Sequence, residues 1–154
     1  MRFLGNSESK IDTKGRVFLP AVFRKQLQSA AEEMLIMRKD TYQSCLTLYP
    51  ESIWNEQMAA LRNKLNRWNP RHQQIFRQFV SDVELISLDS NGRFLIPKRY
   101  QEMVGIQQEV RFIGLDDTIE IWAKELTERP FMTAQEFGKE LEEIMNTTSL
   151  LENE

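Results

Sequence analysis

Ile11-Asp12-Thr13-Lys14-Gly15-Arg16-Val17-Phe18-Leu19-Pro20 returns further along the chain as Leu88-Asp89-Ser90-Asn91-Gly92-Arg93-Phe94-Leu95-Ile96-Pro97, and this repetition decides the fold. Outward from it, Phe23 falls on Tyr100. Glu33-Met34-Leu35-Ile36-Met37 falls on Glu109-Val110-Arg111-Phe112-Ile113, and Leu46-Thr47-Leu48-Tyr49 on Ile119-Glu120-Ile121-Trp122. A turn that recurs with its flanking strands marks one supersecondary unit duplicated within a single fold.

Asn91-Gly92 between apolar runs predicts a hairpin, because both residues tolerate positive φ. Lys14-Gly15 gains the same assignment from the alignment. Pro20 and Pro97 end the second strand and open short helices, Ala21 to Leu27 and Lys98 to Val104, the latter stopped by Gly105. Strands follow at Met34–Arg38 and Leu46–Tyr49, mirrored by Val110–Gly114 and Ile119–Trp122. The repeat therefore reads β-β-α-β-β, in an α+β chain. Short hairpins are marginal in water, so two units related by a pseudo-twofold axis are expected to interlace their hairpins around one barrel core.

Between the copies, Trp54, Met58, Leu61, Leu65 and Trp68 step by four and three, as one face of a helix does. Asn69-Pro70 ends that helix and starts another, with Ile75, Phe76, Phe79 and Val80 facing inward. A last helix, Thr133 to Met145, is expected to bury Phe137, Leu141, Ile144 and Met145, with Thr147–Glu154 frayed. The resulting divisions are a first repeat at 3–50, a helical insert at 51–80, a second repeat at 81–124, and a C-terminal helix and tail at 125–154.

The 154 residues suit one compact domain or two small units sharing a core. No apolar run approaches the roughly 20 residues of a membrane span, and no signal-peptide core opens the chain. A single cysteine, Cys45, excludes an internal disulfide and fits a reducing cytoplasm. The net charge of −3 argues against nucleic acid until its distribution is read. Residues 1–30 carry a net of +4 and residues 51–80 a net of +3, whereas residues 101–154 carry −9. Local charge decides where a polyanion settles, so the first half is a candidate DNA surface.

Catalysis finds no support in the sequence. The one histidine, His72, lies at a helix start, and Cys45 lies in a predicted strand, where a thiol packs as a small apolar group. The sequence shows no metal-ligand cluster, phosphate loop, dinucleotide fingerprint or nucleophile elbow, so neither a cofactor nor a metal is expected. The specific signal is the pentad D-x-x-G-R. Asp12 and Asp89 enter tight turns and accept backbone N–H groups across them, while Gly15 and Gly92 supply positive φ. Arg16 and Arg93 leave those turns, either pairing with the aspartate or reaching outward. Lys10, Lys14 and Arg16 alternate and so are expected to share one face of the first hairpin. The second copy has Ser87 and Asn91 in place of the two lysines, beside Asp116-Asp117. The first loop is therefore the expected principal DNA contact, through Arg16, Lys14 and Lys10, with Arg93 and Arg24 as secondary contacts.

The doubled motif L/I-D-x-x-G-R-x-x-[LI]-P, with a helical pair between its copies, resembles the MraZ family of bacterial transcriptional regulators. Phe3-Leu4-Gly5, Phe23-Arg24 and Cys45-Leu46-Thr47-Leu48-Tyr49-Pro50 extend the likeness over essentially the whole chain. The resemblance implies a swapped-hairpin barrel of the AbrB type, one pseudo-dimer per chain, assembled into rings of more than two chains. It further implies a nucleoid-associated regulator that binds double-stranded DNA at short direct repeats upstream of the cell-division and cell-wall gene cluster, with Arg16 central. Gln101, where the family often carries arginine, and the acidic Asp116-Asp117 loop depart from the pattern in the second repeat. A rival reading is an antitoxin-like or scaffolding ring whose acidic C-terminal half binds a basic protein.

Overall fold

The computed structural model describes the backbone of residues 1–152 and the side chains of residues 1–147. The chain forms two compact units, Met1–Lys124 and the segment from Glu125 onward. The first repeat supplies β1 (Asn6–Lys10), β2 (Arg16–Phe18), α1 (Ala21–Ser29), β3 (Leu35–Lys39) and β4 (Leu46–Pro50). The insert is α2 (Glu51–Lys64) and α3 (Pro70–Val80). The second repeat supplies β5 (Val83–Ile86), β6 (Arg93–Leu95), α4 (Lys98–Val104), β7 (Glu109–Gly114) and β8 (Ile119–Ala123). The predicted β-β-α-β-β order is present in both copies.

The pairing of these strands is where the duplication matters. A six-stranded antiparallel sheet runs in the order β1-β7-β8-β4-β3-β5, and β2 pairs with β6 in a separate two-stranded sheet. The first strand of each repeat thus lies against the third strand of the other, Asn6 opposite Ile113 and Ile86 opposite Leu35. The expected hairpin turns form, but their arms do not pair with each other in a ladder. Arms of three to five residues bury too little alone, and exchange gives each a longer partner. The large sheet keeps β1 and β5 as its two edges, and among the described residues hydrogen bonding does not close it into a ring.

One core gathers both repeats: Phe3, Leu19, Phe23, Met37, Leu46 and Leu48 pack with Ile96, Tyr100, Phe112, Ile119 and Ile121, all fully or almost fully buried. Phe23 meets Phe3 edge-on at 5.9 Å, and Phe94 meets Phe112 edge-on at 6.3 Å. Pro20 and Pro97 sit one residue before the helices in an extended conformation, not within the first turn. Their carbonyls accept the N–H groups of Arg24 and Gln101. Gly105 ends α4 in the left-handed region, as expected.

Three expectations about the helices need correction. The apolar stripe of the insert stops early: α2 ends at Lys64, Leu65 is extended, and Trp68 is 93% exposed. A local network claims that segment, in which Asn66 Oδ1 accepts from Trp68 N–H and His72 Nδ1 accepts from Asn66 N–H. In α3, Ile75 is exposed and Phe76, Phe79 and Val80 are only half-buried. Trp54 instead ties the insert to the sheet, stacking on Phe79 at 5.6 Å and meeting Tyr49 at 5.2 Å, while Arg38 lies 4.0 Å over Phe79.

In the second unit, α5 (Ala134–Glu152) leaves Phe137, Leu141, Ile144 and Met145 exposed, where the sequence pattern expects burial. Periodicity gives a helix an apolar face but cannot say whether this chain covers it. The helix also runs on past Thr147 to Glu152; Asn153 and Glu154 lie outside the described residues.

Candidate nucleic-acid interface

The two pentads fold alike, bond for bond. Asp12 Oδ1 accepts the N–H groups of Lys14 and Arg16, both at 2.9 Å, while Asp89 Oδ1 accepts those of Asn91 and Arg93, both at 2.9 Å. The other carboxylate oxygen takes the arginine Nε, at 2.9 Å for Arg16 and 3.0 Å for Arg93. Gly15 and Gly92 hold φ of 88° and 82°, which only glycine adopts without strain. Backbone N–H bonds, from Arg16 to Asp12 and from Arg93 to Asp89, are the main reason both carboxyls lie below the usual carboxylate range. Both turns are thereby held ionised at neutral pH.

The ion pairs consume one face of each guanidinium only. Among the described residues the amino groups of Arg16 make no other hydrogen bond, and its side chain is 38% exposed. Arg93 also lies 5.8 Å over the Phe18 ring. The turns deliver both arginines to one place. In the β2–β6 ladder Arg16 stands opposite Leu95, and Phe18 opposite Arg93. Opposed residues in a ladder share a face. Val17 and Phe94 therefore point into the core, while Arg16, Phe18, Arg93 and Leu95 form the outer face of a two-stranded ribbon. The sequence assigned these arginines to two separate loops; strand exchange brings them together.

Lys10 goes elsewhere. It ends β1, opposite Glu109, in a different ladder from Arg16. The neighbouring face of β1 is a mixed network, with Glu8 bonded to Arg111 at 2.6 Å and Lys124 set between Glu8 and Glu109. Alternation does not carry across the turn at residues 11–15, so Lys10 and Arg16 do not share one ladder. Lys14 remains exposed at the tip of the first turn.

Two side chains that the sequence undervalued pack on the turns from the opposite repeat. Gln101 Nε2 donates to Ile96 O at 2.7 Å and lies 2.8 Å from where a Cβ on Gly15 would stand. Arg24 Nη1 donates to Leu19 O at 2.9 Å and lies 2.6 Å from where a Cβ on Gly92 would stand. The fold therefore carries a cation to the turn that lacks one of its own at Asn91. The turn holding Lys14 receives a neutral amide instead. The charge difference between the loops, plain in the sequence, is largely levelled.

A Cβ on Gly15 would also stand 3.0 Å from the Ile96 carbonyl, in addition to the positive φ. We expect Gly15→Val to lower stability by about 1–3 kcal/mol and to weaken any ligand the ribbon holds. Chemical denaturation and a binding titration on the same sample measure both; parent-like values in each would overturn this account of the turn.

Away from the ribbon, Asp40, Cys45 and Glu120 each place one donor atom within 4.8 Å of the others. The sequence reading missed this group because Glu120 comes from the other repeat, far along the chain from Asp40 and Cys45, which flank one strand connection. Cys45 is fully buried, and burial first, then the Glu120 and Asp40 carboxylates, push its thiol far above the ordinary range. Native protein at pH 8 should therefore leave Cys45 unmodified by a disulfide reagent that labels it at once in denaturant. Rapid labelling of the folded chain would show the burial to be transient.

A duplicated α+β chain whose halves exchange strands, presenting two aspartate-anchored arginines on one exposed ribbon, is the class that fold and site define. The family model described as "MraZ protein, putative antitoxin-like" matches residues 2–78 and again 79–143, and the chain belongs to the MraZ family. It is 73% identical to the Transcriptional regulator MraZ of Phocaeicola vulgatus over the whole of both chains. It is 66% identical to the protein of that name from Bacteroides thetaiotaomicron, over 95% of this chain and 94% of the relative. At 32% identity, over 94% of each chain, it matches that of Christiangramia forsetii. Among the described residues no helix is long and apolar enough to cross a membrane.

Proposed function

We propose that this chain is a sequence-specific, double-stranded-DNA-binding regulator of transcription, without catalytic activity, and that the β2–β6 ribbon is its reading head. The observation that carries the proposal is the placement of Arg16 and Arg93 on one exposed ribbon face. A two-stranded ribbon fits the major groove, about 12 Å wide, where arginine pairs with guanine O6 and N7. Lys14 and Arg24 flank the ribbon as phosphate contacts, which set position without reading sequence. Lys10, facing Glu109, contributes least. The names of the relatives support a role in transcription.

One ribbon offers few contacts, so affinity comes from several copies gripping successive repeats. The exposed apolar side chains Leu4, Val22, Leu85 and Met103 support association into a ring of more than two chains. The exchanged ladders support a swapped-hairpin barrel whose two layers are the large sheet and the ribbon. The family resemblance directs the search for sites to direct repeats upstream of the cell-division and cell-wall genes, in the cytoplasm at the nucleoid.

Fluorescence anisotropy with the DNA upstream of the chain's own gene, against a scrambled duplex, at two salt concentrations, tests the reading. Preferential, salt-sensitive binding is the expected result; equal affinity for both duplexes would remove sequence specificity. The second reading, an antitoxin-like or scaffolding ring for a basic protein, draws on the net charge of −9 in residues 101–154. It becomes the better one if no duplex is retained while the isolated oligomer captures a basic partner stoichiometrically.

A further inference from the structure

We infer that Gln101 and Arg24 are positioning residues that act across the repeats, each locking the arginine-bearing turn of the other half; the inference rests on the DNA-binding reading above. The Gly15 carbonyl accepts the Ile96 N–H at 2.8 Å, and the Ile96 carbonyl accepts the Gln101 amide at 2.7 Å. In the other copy, the Gly92 carbonyl accepts the Leu19 N–H at 3.0 Å, and the Leu19 carbonyl accepts Arg24 Nη1 at 2.9 Å. In each case one residue, just before the proline, bridges the turn to a side chain four residues beyond that proline through its N–H and its carbonyl. Both glycines are buried under these side chains.

The consequence follows from the position of the glycine. Gly15 is bonded to Arg16, whose backbone N–H is held by Asp12. A turn pinned at Asp12 alone fixes where the arginine leaves the backbone, but not how the turn lies against the rest of the protein. The Gly15–Ile96–Gln101 chain of hydrogen bonds supplies that second attachment, and it comes from the opposite repeat. Glutamine at 101 is thus not a lost DNA contact. It is the neutral form of a brace that the other half builds with arginine, and each half orients the turn it does not contain.

Crossed hydrogen exchange tests the brace without DNA. Gln101→Ala should speed exchange of the Ile96 amide and leave that of Leu19 unchanged, while Arg24→Ala should do the reverse. Uniform changes at both amides, or none, would overturn the crossed arrangement. DNA titrations at low salt, where reduced binding is still measurable, test its role. Gln101→Ala should weaken binding roughly tenfold with an unchanged salt slope, since no charge is removed. Gln101→Arg should restore binding and steepen the slope.

The loss from Gln101→Ala should vanish when Arg16 is already alanine and persist when Arg93 is. A general loss of stability would give the same penalty in both backgrounds and would refute the positioning role. If the parent retains no duplex, the DNA reading falls, and the exchange measurements still decide whether the brace exists.

Discussion

Arg16→Ala combined with Arg93→Ala is expected to abolish DNA retention at physiological salt while leaving the fold intact. Each arginine that clamps phosphate or reads a base contributes about 1–3 kcal/mol. Losing both removes about 2–6 kcal/mol per chain, or roughly 30-fold to more than 10⁴-fold in affinity. In a multimer that loss recurs at every engaged copy. Stability should fall little, because both ion pairs are solvent-exposed and water screens such pairs.

The single variants carry the sharper test. The sequence alone, with Lys14 beside Arg16 and Asn91 beside Arg93, predicts a much larger loss for Arg16→Ala. The shared ribbon face, and Arg24 packed on the Gly92 turn, predict losses within about threefold of each other. Titrations of both single variants and the double variant, with particle size checked by light scattering, decide between them. An Arg93→Ala protein that binds like the parent would restore the asymmetry and remove the ribbon as a unit.

Phe94→Ala should destabilise the protein by about 3–5 kcal/mol, in the range for a buried phenylalanine cut to alanine. Its ring is 4% exposed and packs edge-on against Phe112, so it is a main anchor of the ribbon to the large sheet. Leu95, the next residue, is 52% exposed on the opposite face, and Leu95→Ala should stay within about 0.5 kcal/mol of the parent. Urea denaturation of the two variants gives the comparison directly. Equal midpoints would mean the ribbon is not seated through Phe94. Because the ribbon carries both arginines, Phe94→Ala should also weaken DNA binding, whereas a ribbon-independent site would keep its affinity in the remaining folded fraction.

The repeat units, their strand order and both turns were legible in the sequence because each is decided locally. Asp12 and Asp89 bond to N–H groups two and four residues on, and Gly15 and Gly92 adopt a backbone conformation that few other residues tolerate. Asn69-Pro70 broke the insert, and Gly105 stopped α4, for the same kind of reason. Where a helix pattern met a competing local network, as at Leu65 and Trp68, periodicity overran the true end.

The sequence pointed to interlaced hairpins, but not to the particular strand and register each arm would meet. A three-residue strand such as β2 carries the same local preferences whichever partner it takes, and the partner is selected by burial summed over the whole core. That choice put Arg16 and Arg93 on one ribbon, sent Lys10 to another ladder opposite Glu109, and laid Arg24 and Gln101 on each other's turns. It also brought Glu120 of the second repeat to Asp40 and Cys45 of the first. By itself, then, the sequence determined the two aspartate–glycine–arginine turns, since their hydrogen bonds close within five residues. Only the tertiary structure decided that the two turns feed one ribbon, because the pairing of β2 with β6 is a property of the joint core and leaves no mark in either repeat alone.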